Sequence, residues 1–276
     1  MCGKKKFIFI ASLSLNFIAF FVFCGILYIK QDVVKNKLSS FFTSTKNVEN
    51  LAKSMNQEVF SPEFGKVANG DSVLKIAFVG NSITLHGVAE NIGWTHKSGM
   101  AASTLDNDYV HKLVKKIAMQ KNISVEYAVI NAASFERNFE SFDKNRLEKI
   151  KNFKPDYVIF QLGENVSSAK LKNENEYDLF VGKYVEFISE FNESKKIVCL
   201  PFWYEINKVS AITEAALKTN AFIVDLSHLG AENHDYRNYA ASEIKYSHKG
   251  VGLHPGDYGM ENISNNIFSV FNALMN

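Results

Sequence analysis

Five short apolar runs, residues 74–79, 125–130, 157–162, 197–200 and 222–224, alternate with stretches that can each present one apolar face, residues 109–119, 146–152, 177–191, 210–217 and 263–274. No other feature of the sequence limits the fold so much. A strand that reads as nearly continuous Val, Ile, Phe and Leu has no polar face to turn to water, so it must be covered on both sides. Strands of that kind joined by helices run parallel, because a helical crossover can connect parallel strands and a hairpin cannot. The expected fold is therefore α/β, a five-stranded parallel sheet between two helical layers over residues 72–276. In such sheets ligands bind beyond the carboxyl ends of the strands. The residues just after each strand are the place to look for chemistry.

Residues 7–29 carry no charge and follow Lys4, Lys5 and Lys6. As a helix rising 1.5 Å per residue, such a run crosses a hydrocarbon core of about 30 Å. It exceeds the apolar core of a cleaved signal peptide and no Ala-x-Ala site follows, so residues 1–30 are expected to be a short tail and an uncleaved membrane anchor. Phe23, just before Cys24, argues against lipid attachment at that cysteine. Lys30, Lys35 and Lys37 nearly balance the basic start, which still favours a single-pass protein with its domain periplasmic or otherwise extracytoplasmic. Residues 31–71, rich in Ser, Thr, Asn and Lys, read as a stalk. The chain as a whole, 46% hydrophobic and 22% charged, can bury a sizeable core. A net charge of +2 gives no case for nucleic acid as a partner. Only Cys199 lies beyond the anchor and stalk, which excludes a disulfide framework and a cysteine zinc site.

After the first strand comes Gly80-Asn81-Ser82-Ile83-Thr84, after the second Asn131-Ala132-Ala133-Ser134-Phe135-Glu136, and after the third Gly163-Glu164-Asn165. A serine in a strand-to-helix turn exposes its hydroxyl beside outward-pointing N–H groups and can act as a nucleophile. Taken alone, Ser82 reads more readily as a helix cap. Asn165 could donate its amide to an oxyanion, and by itself is more readily an Asx-turn. His254, in the loop before the last helix, could take the Ser82 proton as general base. Thr84 stands where a nucleophile elbow has its second glycine, and no phosphate or dinucleotide loop is completed.

Taken in order, these segments resemble the SGNH (GDSL-like) hydrolases. Gly-Asn-Ser-Ile-Thr is similar to the family's Gly-Asp-Ser-Leu block, Gly163-Glu164-Asn165 to its Gly-x-Asn block, and His254-Pro255 to the histidine of its Asp-x-x-His block. The resemblance spans about residues 73–275. It implies a flavodoxin-like three-layer sandwich and ester hydrolysis through an acyl-enzyme, with Ser82 and His254 catalytic and with Ser82, Glu136 and Asn165 supplying the oxyanion donors. No cofactor is implied. Two positions depart from the pattern. Glu136 stands where the family has a glycine, so a donor there must be its backbone N–H or a neighbour's. Val251 stands where the family has the acid, so the expectation is a Ser-His dyad oriented by a backbone carbonyl, with Asp257 and Asp225 as the alternative acids.

Between the first strand and the first helix, residues 85–108 form a connection long enough to be functional. His86 and Trp94 within it, and Trp203 after the fourth strand, are candidate walls of a substrate pocket, and Trp94 is equally a gap-filler. The histidines include no His-Glu-x-x-His pair, so no catalytic metal is expected, and His248 is the rival to His254 as base. The function expected is a membrane-anchored esterase or O-deacetylase acting on small acyl esters, with envelope carbohydrate as the carrier. An O-acetyltransferase using the same residues, or a carbohydrate-binding protein that only keeps the fold, are the alternatives.

Overall fold

The computed structural model describes residues 61–230, 235–244, 246 and 248–275, all in the second of the chain's two units, Met55–Asn276. The expected anchor at 7–29 and most of the stalk lie outside the described residues. Among the described residues, no helix is long and apolar enough to cross a membrane.

The sheet has six strands rather than five: β1 (Glu63–Val67), β2 (Val73–Gly80), β3 (Ser124–Asn131), β4 (Tyr157–Gln161), β5 (Lys195–Cys199) and β6 (Phe222–Val224), in the spatial order β1-β3-β2-β4-β5-β6. The five expected strands are parallel, and β1 is added at one edge antiparallel to β3. Its sequence, Glu-Phe-Gly-Lys-Val, lies within the segment read as stalk. An edge strand pairs on one side only and can stay half-exposed and charged, so it carries none of the apolar continuity that marks the others. Lys66 sits opposite Glu126 in the register and their side chains meet at 3.2 Å.

Helices cover both faces. On one side Ile76, Phe78, Ile159, Ile197 and Cys199 pack with α1 (Tyr109–Lys121) and, at the end of the chain, a long helix over Asp257–Met275. Ala77, Val79, Val158, Phe160 and Val198 point the other way, under α3 (Glu148–Asn152), α4 (Glu174–Ser189) and α5 (Ile206–Lys218). Neighbours on β2 are thus buried on opposite faces, which is why the strand reads as one apolar run. Two short helices, α2 (Ala133–Arg137) after β3 and α6 (Lys249–Gly252) ahead of the terminal helix, α7 (Asp257–Met275), lie next to residues of interest.

Among the parallel strands the chain runs first from β2 to β3 on one side, then to β4 on the other. The order reverses at β2, and the crevice opened there lies between the loops after β2 and β4. Ser82 and Gly163-Glu164-Asn165 stand in those two loops.

Candidate active site

The turn after β2 is held by Asn81. Its backbone oxygen accepts from the N–H groups of Thr84 and Leu85, both at 3.0 Å, and its Oδ1 accepts from Ile83 N at 3.0 Å. Asn81, not Ser82, therefore does the capping. Ser82 is left partly exposed with its Oγ 2.9 Å from His254 Nε2. Among the described residues no acceptor takes the Ser82 backbone N–H.

His254 is buried, and its other ring nitrogen, Nδ1, lies 2.8 Å from Gly250 O. A carbonyl only accepts, so Nδ1 carries the proton and Nε2 presents its lone pair to the Ser82 hydroxyl. Burial pushes the imidazole down to about 4; the Gly250 bond opposes the shift, and His86 and His248 add to it. At neutral pH the ring is uncharged and in the tautomer a general base needs.

Neither alternative acid reaches that ring. The Asp257 carboxylate accepts from Ser103 N (2.8 Å), Ser103 Oγ and Asn107 Nδ2 (3.0 Å), tying the 85–108 connection to the start of α7. Asp225 accepts from Ser227 N and Oγ. Val251 is fully buried with Ile92, Trp94 and Met100, so an apolar contact occupies the place where the sequence resemblance implied an acid.

The proposed pocket walls divide. Trp94 is 1% exposed and fills the space beneath its own loop, which is closed by the bridges His86–Ser98 and Ala89–Trp94; it is core and not an open wall. His86 is buried as well, with Nδ1 2.6 Å from Gly87 O. Trp203 remains partly exposed, edge-on to His254 with ring centroids 5.2 Å apart, and its Nε1 donates to Leu253 O at 3.2 Å. His248, at the start of α6, has a buried Nδ1 that meets no partner among the described residues and makes no bond to Ser82.

Glu136 enters the site in a way the sequence did not suggest. Its backbone N–H lies in the short helix α2, of which it is the fourth residue. The Ala133 N–H goes to Asn131 Oδ1 and the Phe135 N–H to Ala132 O, which takes both away from an oxyanion. What reaches the centre is the Glu136 carboxylate, 2% exposed. Its Oε1 accepts from Gly163 N, from Asn81 Nδ2 at 3.1 Å and from Asn165 N at 3.3 Å, and its Oε2 accepts from Asn165 Nδ2 at 2.5 Å. The Asn165 amide thus commits one of its two N–H bonds and keeps the other.

A second buried carboxylate stands behind the first. Glu164 accepts from Asn81 Nδ2 (2.6 Å), Gln161 Nε2 (2.6 Å) and Phe202 N (3.0 Å). Burial, then the charge of Glu136, pushes its carboxyl up to about 7. Lys208 Nζ donates to the Glu164 backbone oxygen at 2.7 Å; burial holds its pKa below that of an ordinary lysine, and the charges of Glu164, Glu136 and Glu205 oppose that shift. Gly163 makes the loop possible: its φ of +136° is one that side chains rarely adopt, and a Cβ there would strike Ile212. Among the described residues no cluster of His, Cys, Asp and Glu could hold a metal ion. A surface cavity lined by Lys154, Asp156, Tyr157 and Glu193 lies at the amino ends of β4 and β5, the opposite edge of the sheet from Ser82.

No protein-family model matches the chain, and no curated protein sequence does. Solved structures that it resembles include a lipase/acylhydrolase from Enterococcus faecalis, with 20% identity, 70% of this chain and 93% of that one covered, and a TM-score of 0.48. An acetyl xylan esterase matches at 16% identity over 71% and 99% of the two chains, TM-score 0.46. A salicylyl-acyltransferase from a tetracycline biosynthetic pathway matches at 13% over 74% and 55%, TM-score 0.48.

Proposed function

We propose that this chain is a serine esterase of the SGNH type that cleaves small acyl esters through an acyl-enzyme. The observation that carries the proposal is the 2.9 Å contact between Ser82 Oγ and the lone-pair nitrogen of a buried, neutral His254. Ser82 Oγ attacks the ester carbonyl as its proton passes to His254 Nε2. The carbonyl oxygen becomes an oxyanion facing the Ser82 N–H and the free N–H of Asn165. Collapse breaks the bond to the alcohol, which leaves with the proton from Nε2, and Ser82 keeps the acyl group. Water then attacks the acyl carbon, giving its proton to Nε2; collapse breaks the bond to Ser82 Oγ, which takes that proton back from Nε2 as the acid is released. Throughout, Nδ1–H stays on Gly250 O and keeps the ring in place. Among the described residues no carboxylate stands behind the ring, and the imidazolium is stabilised by that carbonyl. The decisive experiment is turnover of p-nitrophenyl acetate by the purified full chain. We expect nitrophenol release that Ser82→Ala abolishes with little loss of stability, since the hydroxyl caps nothing; wild-type turnover in that variant would end the proposal.

Anchoring and substrate belong to the same proposal. The uncharged run at 7–29 behind Lys4–Lys6 supports a domain held at a membrane and outside the cytoplasm, where acylated envelope carbohydrate is the available class of ester. Protease added to intact spheroplasts should remove the domain, and full protection would refute the topology.

A further inference from the structure

Glu136 takes no part in the proton transfers above, yet its carboxylate gathers four N–H groups from two loops. We propose that Glu136 is a positioning residue of the oxyanion site, fixing the Asn165 amide against the turn that carries Ser82. The proposal rests on the esterase reading, because it assigns a task at the same reacting oxygen.

A side-chain amide rotates about a broad, roughly two-fold torsion, so an unrestrained Asn can offer either its oxygen or its NH2 to a substrate. Glu136 Oε2 decides between them. It accepts only, so the flipped amide would set two acceptors against each other. With one N–H of Asn165 held on Oε2, the other is left in the amide plane with a fixed direction. Oε1 does the rest: through Gly163 N and Asn165 N it holds the loop backbone, and through Asn81 Nδ2 it holds the residue next to the nucleophile. No neutral side chain can replace it, because an amide or a carboxylic acid puts a donor where one of these donors already points. The charge has a cost, since it repels a developing oxyanion. Four N–H groups and the nearby Lys208 oppose that repulsion. The gain at stake is an oxyanion donor, and losing one costs about 10²–10³ in turnover.

The test is a double-mutant cycle on the full chain with p-nitrophenyl acetate, each rate divided by the fraction of sites labelled by a fluorophosphonate. In Glu136→Gln the new NH2 faces a donor whichever way it turns, and kcat should fall about 10²–10³-fold while KM stays within about threefold. Asn165→Ala should fall as far, and Glu136→Gln/Asn165→Ala no further than Asn165→Ala alone. A residue that only supports the fold would give losses that multiply, and that result, or wild-type kcat in Glu136→Gln, overturns the proposal. If Glu136→Gln does not fold, Glu136→Asp takes its place, because a carboxylate withdrawn by one methylene cannot reach both loops and the same kcat loss is expected. Ser82→Ala is run alongside. Activity surviving there would refute the esterase reading itself, whichever way the cycle falls.

Discussion

The two sides of the site are built from opposite materials. Behind the base no carboxylate stands among the described residues: His254 rests on the Gly250 carbonyl, the edge of Trp203 and a loop whose Val251 is sealed against Trp94. Behind the oxyanion donors stand two buried carboxylates and a lysine, joined through Asn81, Gln161 and Asn165. The acid missing from one side is not simply moved to the other, because neither glutamate touches the imidazole. The difference teaches where this site invests its polar groups: in holding donors still and not in strengthening the base. A buried imidazole without a counter-charge is a weak base at any pH, whereas a donor fixed before reaction needs no reorganisation as charge develops.

The sharpest way to break this comparison is to look for an acid behind His254. His254→Ala should reduce turnover on the order of 10⁴-fold or more, as loss of a base does in serine proteases. Asp257→Asn and Asp225→Asn should each keep most of the activity, because those carboxylates hold Ser103 and Ser227. A loss near 10⁴ in either would expose a triad.

Placing an acid at position 251, where the resemblance to the SGNH hydrolases implies one, probes the same side. Val251→Asp should not raise turnover, and should lower stability to denaturant by about 3 kcal/mol, since the carboxylate would be buried among Ile92, Trp94 and Met100 with no partner. A faster enzyme of unchanged stability would show that the dry side can accept a charge.

Acid sharpens the contrast. Only neutral His254 can take the Ser82 proton, so kcat/KM followed by acetate release should hold from neutrality down to about pH 4 and fall about tenfold per unit below it. An ordinary histidine would fail near pH 6.5. Stability is pulled both ways over this range. The His254 contribution is present above about 6.5 and lost as pH falls toward 4, whereas Glu164, held up to about 7, contributes below about 4.5 and loses that contribution as pH rises toward 7. A rate that fell already near pH 6.5 in protein still folded by circular dichroism would contradict a dry base.

The smallest effect is expected at Trp203. Trp203→Phe keeps a ring edge against His254 but loses the bond to Leu253 O, and should cost about 1 kcal/mol of stability in thermal or denaturant unfolding, with at most a tenfold fall in kcat/KM. A larger fall would make Trp203 a substrate contact in its own right.

By itself the sequence determined the five parallel strands, the helices between them and the loops in which Ser82, Asn165 and His254 stand, because two-sided burial writes near-continuous apolar runs and the site lies just past their ends. It also limited the choice for orienting His254, since Val251 cannot serve as an acid. Four matters were left to the tertiary structure. β1 pairs across the sheet with β3, a partner some 60 residues away, and half-exposed residues do not announce such pairing. Asn81 rather than Ser82 caps the turn, which frees the hydroxyl, and Trp94 turns inward because a loop closed by its own bridges needs an interior. Glu136 looked like a misplaced glycine and became the carboxylate on which two loops close. Periodicity records how each element is buried, but the partners of a buried polar group come from several strand ends at once, and only the folded arrangement brings those donors to one oxygen.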